Sequence, residues 1–384
     1  MSENDVLNLC NLYSINIVSK NGESLDLSNV FMKIEIYEDI FSHYLTAMLS
    51  IKDTSDMLKN FPVIGGEYVE IAFADSAYNS ARFFDFYVEE VMPQTQSSNE
   101  LNKNVSLIFK LASADHINAL NKRFSYKFED TSYSILNTIF SSINSKRIVQ
   151  SIESEQMEFV ANFWNVDEII DYISYQNKDS LFFETSDQYR FETLNNLVSQ
   201  SPVHELFMMT NVESKVGLNT VQQYQFDKYF SILKMLNIGG FGKTVYKPSI
   251  ENYGYEMEKK TLNDVYDNDF KMMGSNKPFQ AFLSSFDNDI DVDYDDLESS
   301  LTRNIILSTA QNYNLTLQIN GSLKRKAGDV VKFNLPSFDN QPINQNFQND
   351  WLILQIKHII EANRSYKQNI RLFKNAFFNN AKVG

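Results

Sequence analysis

A single cysteine, Cys10, stands in the 384 residues, so no intramolecular disulfide framework can form and no cysteine-built zinc site exists. No run approaches about 18 uninterrupted apolar residues, so no membrane-spanning helix is expected. The opening MSENDVLNLCNLYS lacks the basic and apolar regions of a secretory signal, and we expect a chain made in the cytosol. Basic residues are outnumbered: 34 Lys and Arg face 49 Asp and Glu, a formal charge of −15. That balance argues against nucleic-acid binding, which calls for clustered cations, but not against a surface that nucleic acid passes without sticking. Glycine (12) and proline (7) are scarce, whereas 30 Phe and 20 Tyr favour pleated, half-buried surfaces. With 43% hydrophobic and 22% charged residues, the chain is globular and long enough for two or three domains.

The patterning is mostly of period two. Leu12–Val18 alternates and ends at Asn21-Gly22, a hairpin signal; Val30–Tyr37 and Tyr44–Lys52 read as further strands. Asp53-Thr54-Ser55 caps a short expected helix, Asp56–Asn60, and Gly65-Gly66 turns the chain into strand Tyr68–Phe73. Strands Phe83–Met92 and Val105–Leu111 follow, separated by a polar loop, Pro93–Asn104. Helical spacing then takes over at Asp115–Leu120, at Tyr133–Ser142 with Ile135, Leu136, Ile139 and Phe140 in a stripe, and at Val166–Gln176. Asp167 and Glu168 fall at the favourable positive end of the last of these helices. Leu181–Glu184 and Tyr189–Glu192 flank Ser186-Asp187-Gln188 as a hairpin. The β pattern returns from about 205. Residues 247–300 are polar and irregular and read as an excursion; Asp295–Asn312 reads as a helix and Leu315–Ile319 as a strand.

One stretch organises the rest. GGEYVEIAF (Gly65–Phe73) is echoed by AGDVVKFNL (Ala327–Leu335), and each is followed by a long apolar strand, a polar turn and another strand. Segments 65–111 and 327–373 therefore read as two copies of one β-module. The expected fold is α+β but mainly β: two similar β-barrel-like domains, a small α+β middle domain and an irregular insertion. The expected boundaries are 1–112 for the first β-domain, 113–204 for the middle domain, 205–246 with 301–375 for the second, 247–300 for the insertion and 376–384 for a tail.

Chemistry is hard to place. His43, His116, His204 and His358 are isolated along the chain, and no HExxH or HxH occurs. His358, inside WLILQIKHII, reads as a surface or interface residue. Gly239-Gly240-Phe241-Gly242 lacks the lysine spacing of a phosphate loop and reads as turn glycines. In DNDIDVDYDDLE, Asp287, Asp289, Asp291, Asp293 and Asp295 fall on odd positions of a calcium loop and Glu298 on the twelfth. The sixth position is Val292 where the sharp turn needs glycine, so the run reads as a solvated acidic loop before a helix. We expect no enzyme: no catalytic, cofactor-binding or metal-binding residues are assigned, and no cofactor.

The order of parts resembles the central baseplate hub proteins of T4-like contractile-tailed bacteriophages, related to the hub part of type VI secretion spike proteins and to phage late-control tail proteins. The resemblance is carried by IEIYEDIFSHYLTAMLSIKD with FPVIGGEYVEIAF, FWNVDEIIDYISYQ with SLFFETSDQYRFETL, FDKYFSILKMLNIGGFGKTVY, and NGSLKRKAGDVVKFNLP with WLILQIKHIIEANRSYKQNIRLF. It implies tube-type β-domains, two per chain, and a homotrimer whose six β-domains form a pseudo-sixfold ring. Such a ring joins a sixfold tail tube to a threefold cell-puncturing spike and leaves a channel for DNA. The implied partners are further copies of the chain, the tail tube protein, the central spike protein and other baseplate components. The implied location is the virion tail baseplate, assembled in the host bacterial cytoplasm. A net-negative subunit suggests a lumen that repels phosphates. Two alternatives stand beside it: a tail-associated carbohydrate-binding or peptidoglycan-degrading protein, for which two Trp make a poor sugar platform, and the hub component of a type VI-like secretion or injection system.

Overall fold

A computed structural model describes residues 9–53, 61, 63–75, 80–95, 105–152, 154–177, 180–208, 217–228, 242–249, 254–261, 314–333 and 350–375, with a few single residues between them. The chain is mainly β, as its aromatic, alternating segments dictate. In order, the elements of the first part are β1 (Cys10–Val18), β2 (Ser24–Asp26), β3 (Phe31–Asp39), β4 (Thr46–Asp53), β5 (Tyr68–Asp75), β6 (Arg82–Thr95) and β7 (Val105–Ser113). They pair in the order β3-β4-β7-β6-β5-β1-β2, antiparallel throughout. Alternate residues, among them Ile15, Ile34, Ile36, Leu49, Val69, Ile71, Phe84, Phe86 and Phe109, point to one buried core, so the run curls around it. The hairpin at Asn21-Gly22 forms, but across a wider loop than a two-residue turn: Val18 pairs with Ser24, and Gly22 takes φ +84°.

The middle of the chain builds α1 (Ala114–Asn121), β8 (Arg123–Thr131), α2 (Ser132–Ser142), β9 (Val149–Ser151), β10 (Gln156–Asn165), α3 (Val166–Gln176), β11 (Ser180–Glu184), β12 (Tyr189–Thr193) and α4 (Leu194–Ser199). Asn165 begins α3 with a capping box: its side chain accepts the Glu168 N–H while the Glu168 carboxylate accepts the Asn165 N–H. Val166, Ile169, Ile170 and Ile173 then fall on one stripe and bury it against Phe128, Phe140, Phe159, Phe182 and Tyr189. The β8–β10 ribbon, β9 and the short helix α4 are additions to the elements legible as pattern. β10 buries Met157, Phe159 and Ala161 in alternation while Val160 and Phe163 stay exposed, and in β8 only Phe128 is buried.

The last part holds β13 (His204–Met208), β14 (Thr220–Lys228), β15 (Gly242–Ser249), β16 (Gly254–Thr261), β17 (Asn314–Asn320), β18 (Val330–Phe333), β19 (Asp350–Glu361) and β20 (Tyr366–Phe373). Here β18-β13-β14-β17-β20-β19 closes on itself through a further β18–β19 pairing, making a barrel around Leu206, Val221, Leu315, Leu317, Val331, Phe333, Trp351 and Ile370. A β19–β3 pairing joins the two parts into one 13-stranded sheet. Two expectations need correction. Residues 247–261, read as part of an irregular excursion, belong to the antiparallel hairpin β15–β16, whose first strand opens at Gly242, read as a turn glycine. Pro93, read as the start of a loop, lies inside β6, opposite Leu107. The expected helices 56–60 and, for the most part, 295–312 lie outside the described residues.

Candidate assembly site at the module junction

The echo between 65–73 and 327–335 is a repeated device. In the first copy, Gly66 takes φ +81°, a left-handed conformation glycine adopts without a Cβ penalty. Its N–H donates to the Val88 carbonyl at 2.7 Å, and the Val88 N–H returns to Glu67 at 2.9 Å. In the second, Gly328 takes φ +84°, donates to the Ile353 carbonyl at 2.8 Å, and the Ile353 N–H returns to Asp329 at 2.9 Å. The acid after each glycine folds back on the turn: Glu67 accepts the N–H groups of Ile64 and Gly65, and Asp329 that of Lys326. A β-bulge follows at the same step in both, between Val88 and Glu90 and between Ile353 and Gln355. The pairing order agrees as well: β5-β6-β7-β4-β3 runs like β18-β19-β20-β17-β14.

At each bulge the short strand leaves the long one. β18 pairs with β19 only through Leu352, and from Gln355 to Glu361 that vacated edge is taken by β3, Lys33 to Asp39. β19 is accordingly buried on both faces in its first part and alternates in its second. β5 departs β6 at the corresponding point, after Tyr87.

The β3–β19 seam buries a polar cluster. Glu38, with no exposed side-chain surface, accepts the backbone N–H groups of Ser186 and Ala327 at 2.9 Å each and faces His358 Nε2 at 3.3 Å. His358 Nδ1 lies 2.7 Å from the Tyr366 hydroxyl and 3.2 Å from the Gln368 amide. A carboxylate only accepts, and burial pushes the Tyr366 hydroxyl well above its ordinary pKa, so Tyr366 remains a donor. The network therefore assigns the His358 proton to Nε2, facing Glu38. Gln368 extends the cluster to Arg325, which also donates to the carbonyls of Leu218 and Asn320. Asp75 of β5 accepts from Leu323 N–H at 2.9 Å. Glu38 thus pins the first module to the second and, through Ser186, to the middle domain. His358, expected at a surface or an interface, is 1% exposed: the surface alternative is corrected, and the residue sits where the two modules of one chain meet.

Other charges close the seams to the middle domain. Glu184 pairs with Arg147 and accepts the Leu45 N–H at 2.8 Å. Arg190 reaches Glu192 at 3.0 Å and Asp329 at 3.1 Å; burial nevertheless pushes the Asp329 carboxyl up to about 6, against the lowering by Arg190. His43 and His116, distant in sequence, both come near Asp167, at 3.9 and 3.8 Å, and Tyr44 stacks on His116. Burial tends to raise the Asp167 pKa, but His43 and Tyr44 outweigh it and hold it below the usual value. A cavity of about 440 Å³ between the first module and the middle domain is lined by Arg82, Asp85, Lys146 and Asp187, which pair among themselves.

The face of the sheet turned away from the cores is polar and charge-matched. Lys33 and Lys357 flank Glu35 at 2.7 and 2.8 Å, Lys110 meets Glu89 at 2.6 Å, and Arg371 lies 3.9 Å from Asp227. Burial acts to raise the Glu35 pKa, but hydrogen bonds from Lys33, Lys357 and Tyr37 together hold it at about 2. Among the described residues no three His, Cys, Asp or Glu side chains are grouped to hold a metal ion, and no helix is long and apolar enough to cross a membrane. His204 begins β13, apart from the other histidines; Asp287–Glu298, Gly239 and Gly240 lie outside the described residues, and Gly242 opens β15.

Glu38, Tyr366, Gln368 and Arg325 were not singled out by sequence. A signal for the first existed: in IEIYED, Glu38 shares the parity of Ile34 and Ile36, just as His358 shares that of Ile356 and Ile360, so alternation places both polar side chains on the core side.

The fold is similar to those of two tail proteins of known structure. The 43 kDa tail protein of prophage MuSo2 from Shewanella oneidensis superposes with a TM-score of 0.60 at 10% identity, over 94% of this chain and 98% of that one. A tail protein from Neisseria meningitidis MC58 gives 0.57 at 10% identity, over 95% and 97%. No protein-family model matches the chain, and no curated protein matches it in sequence.

Proposed function

We propose that the chain is a structural subunit of a phage tail baseplate, a hub that forms a homotrimeric ring. The observation that carries this is the duplication: two modules with the same turn, bulge and strand order, joined edge to edge by β3–β19. One chain supplies two similar units already set side by side, so three chains supply six, the number a sixfold tube needs beneath a threefold spike. Sharing its fold with tail proteins supports the same reading. The division into 1–112, 113–204, 205–246 with 301–375, and the insertion 247–300 is kept as part of the proposal.

The ring's channel would be lined by the sheet face turned away from the cores. Its paired charges, Lys33 and Lys357 with Glu35, Lys110 with Glu89, Arg371 with Asp227, leave a nearly neutral lining in place of the acidic one suggested by net charge. Neutral, hydrogen-bonding walls offer DNA phosphates no cationic row to bind, which suits passage without retention. No catalytic role is assigned.

Light scattering of the purified protein, alone and with its cognate spike and tube proteins, tests the reading. A trimer, or a monomer that becomes trimeric on the spike, is expected. A protein that stays monomeric in every mixture and degrades peptidoglycan overturns it.

A further inference from the structure

The two long strands β6 and β19 are the same element twice, yet their edges are treated differently. Past the bulge, β19 receives β3 along Gln355–Glu361. Among the described residues no strand runs along the corresponding side of β6 past Val88. The counterpart of β3 is β14, since Ile36 pairs with Ala47 of β4 as Phe226 pairs with Leu315 of β17. β14 in turn pairs with β13 only at Thr220 and Val221, and no described strand follows it further on that side.

We propose that β14 of a second copy of this chain docks antiparallel along β6 between Val91 and Thr95, in the register that β3 takes on β19. This rests on the ring reading above and names the edges that close the ring. The register follows from the pairings within the chain. Gln355 pairs with Arg371 and Glu90 with Lys110, so β6 maps onto β19 with Glu90 at Gln355, Pro93 at His358 and Gln94 at Ile359. Glu35 pairs with Met48 and Gln225 with Thr316, so Gln225 maps onto Glu35. Ile359 lies opposite Glu35 within the chain; Gln94 therefore lies opposite Gln225 between copies.

The hydrogen-bond phase fixes which amides this edge offers. Ile40 N–H donates to the Leu354 carbonyl and Ala362 N–H to the Met32 carbonyl, so even-numbered residues of β19 bond to β3 and odd-numbered ones do not. The bonded position His358 corresponds to Pro93. Its missing N–H thus faces the edge offered to the second copy, so the β6–β7 ladder stays intact and the docked strand forgoes one hydrogen bond at that position. A proline there removes one donor from an edge that would otherwise pair indiscriminately.

The test is a disulfide. Gln94 and Gln225 form a non-hydrogen-bonded pair in this register, with Cα atoms about 4.5 Å apart, within the range a disulfide spans. The double variant Gln94→Cys/Gln225→Cys, mildly oxidised, is expected to run as covalent oligomers on non-reducing gels, at least tenfold more than either single variant. The shifted pair Gln94→Cys/Gln223→Cys, about 7–8 Å apart, serves as the control. On the unsubstituted protein, hydrogen exchange gives an independent reading: the Val91, Thr95 and Tyr224 amides gain protection on assembly. A trimer by light scattering that forms no Gln94–Gln225 link, or links equally through Gln223, overturns the register and leaves the ring reading standing. A protein that is monomeric in every mixture overturns both.

Discussion

The two β-modules share a plan and differ in what surrounds it. In the second, the glycine turn is packed against the middle domain: a Cβ on Gly328 would lie 2.8 Å from Phe183 and 3.1 Å from Arg190. In the first, a Cβ on Gly66 would meet only the end of the Lys20 side chain, at 3.4 Å. The second barrel closes through β18–β19 and β13, whereas the gap between β1 and β3 in the first is spanned by β2 and the turn after it. What the difference teaches is that the local device is set by backbone geometry, a left-handed glycine followed by an acid, while its tolerance to change is set by its neighbours.

The largest effect should come from the element the modules share. Glu38→Ala leaves the buried His358 and two backbone N–H groups without their acceptor and should destabilise by about 3–5 kcal/mol in urea unfolding, whereas Glu67→Ala, confined to one turn, should cost about 1–3 kcal/mol. Equal losses would sink the assignment of Glu38 as the pin between modules. Next, Gly328→Ala combines left-handed strain with a clash and should cost about 3 kcal/mol; Gly66→Ala carries strain alone, about 1–2 kcal/mol. Finding the order reversed would break the comparison.

Acid separates the modules further. Glu35, on the first module, is held at about 2 against an ordinary 4.5; its contribution is complete above 4.5 and is lost as pH falls toward 2. Glu35→Gln should flatten that loss by about 1 kcal/mol, discounted for its partial contact with solvent. Asp329, on the second, moves the other way. Its folded state holds the proton more tightly, so its contribution to stability declines as pH rises from 3.8 toward 6, and Asp329→Asn should remove that decline. Unfolding curves of both variants between pH 2.5 and 7, on the order of the window these shifts define, would show opposite changes in slope. The smallest effect is expected at Pro93→Val, within about 0.5 kcal/mol in a monomer's unfolding, but with tighter self-association because an edge donor is restored.

Much of this plan was legible in sequence because its signals are local. Gly65-Gly66-Glu67 and Ala327-Gly328-Asp329 each precede alternating strands, and helix α3 announces itself by its helical spacing and by Asp167 and Glu168 in its first turn. β8 and β10 escaped because their apolar residues cover the middle-domain core from one side only while Tyr126, Val160 and Phe163 remain exposed. β16 escaped because Glu and Lys make up half of its eight residues. The junction itself left no local trace. Its residues are separated by 320 positions, as between Glu38 and His358, and only the parity of two polar side chains within apolar alternation hinted at it.

That separation bears on how the molecule comes into being. β3 (Phe31–Asp39) is made before its neighbour β19 (Asp350–Glu361), and the two pair only once the long stretch between them has emerged. Until then the first module carries an open strand edge with Ile34 and Ile36 beside it, the kind of surface that recruits a strand from whichever polypeptide is near. Pairing across so long a loop is slow, since its closure entropy must be overcome before the contact stabilises anything. The buried Glu38–His358 contact then acts as a latch set last, and newborn chains crowded on one message are the partners most apt to be captured in its place.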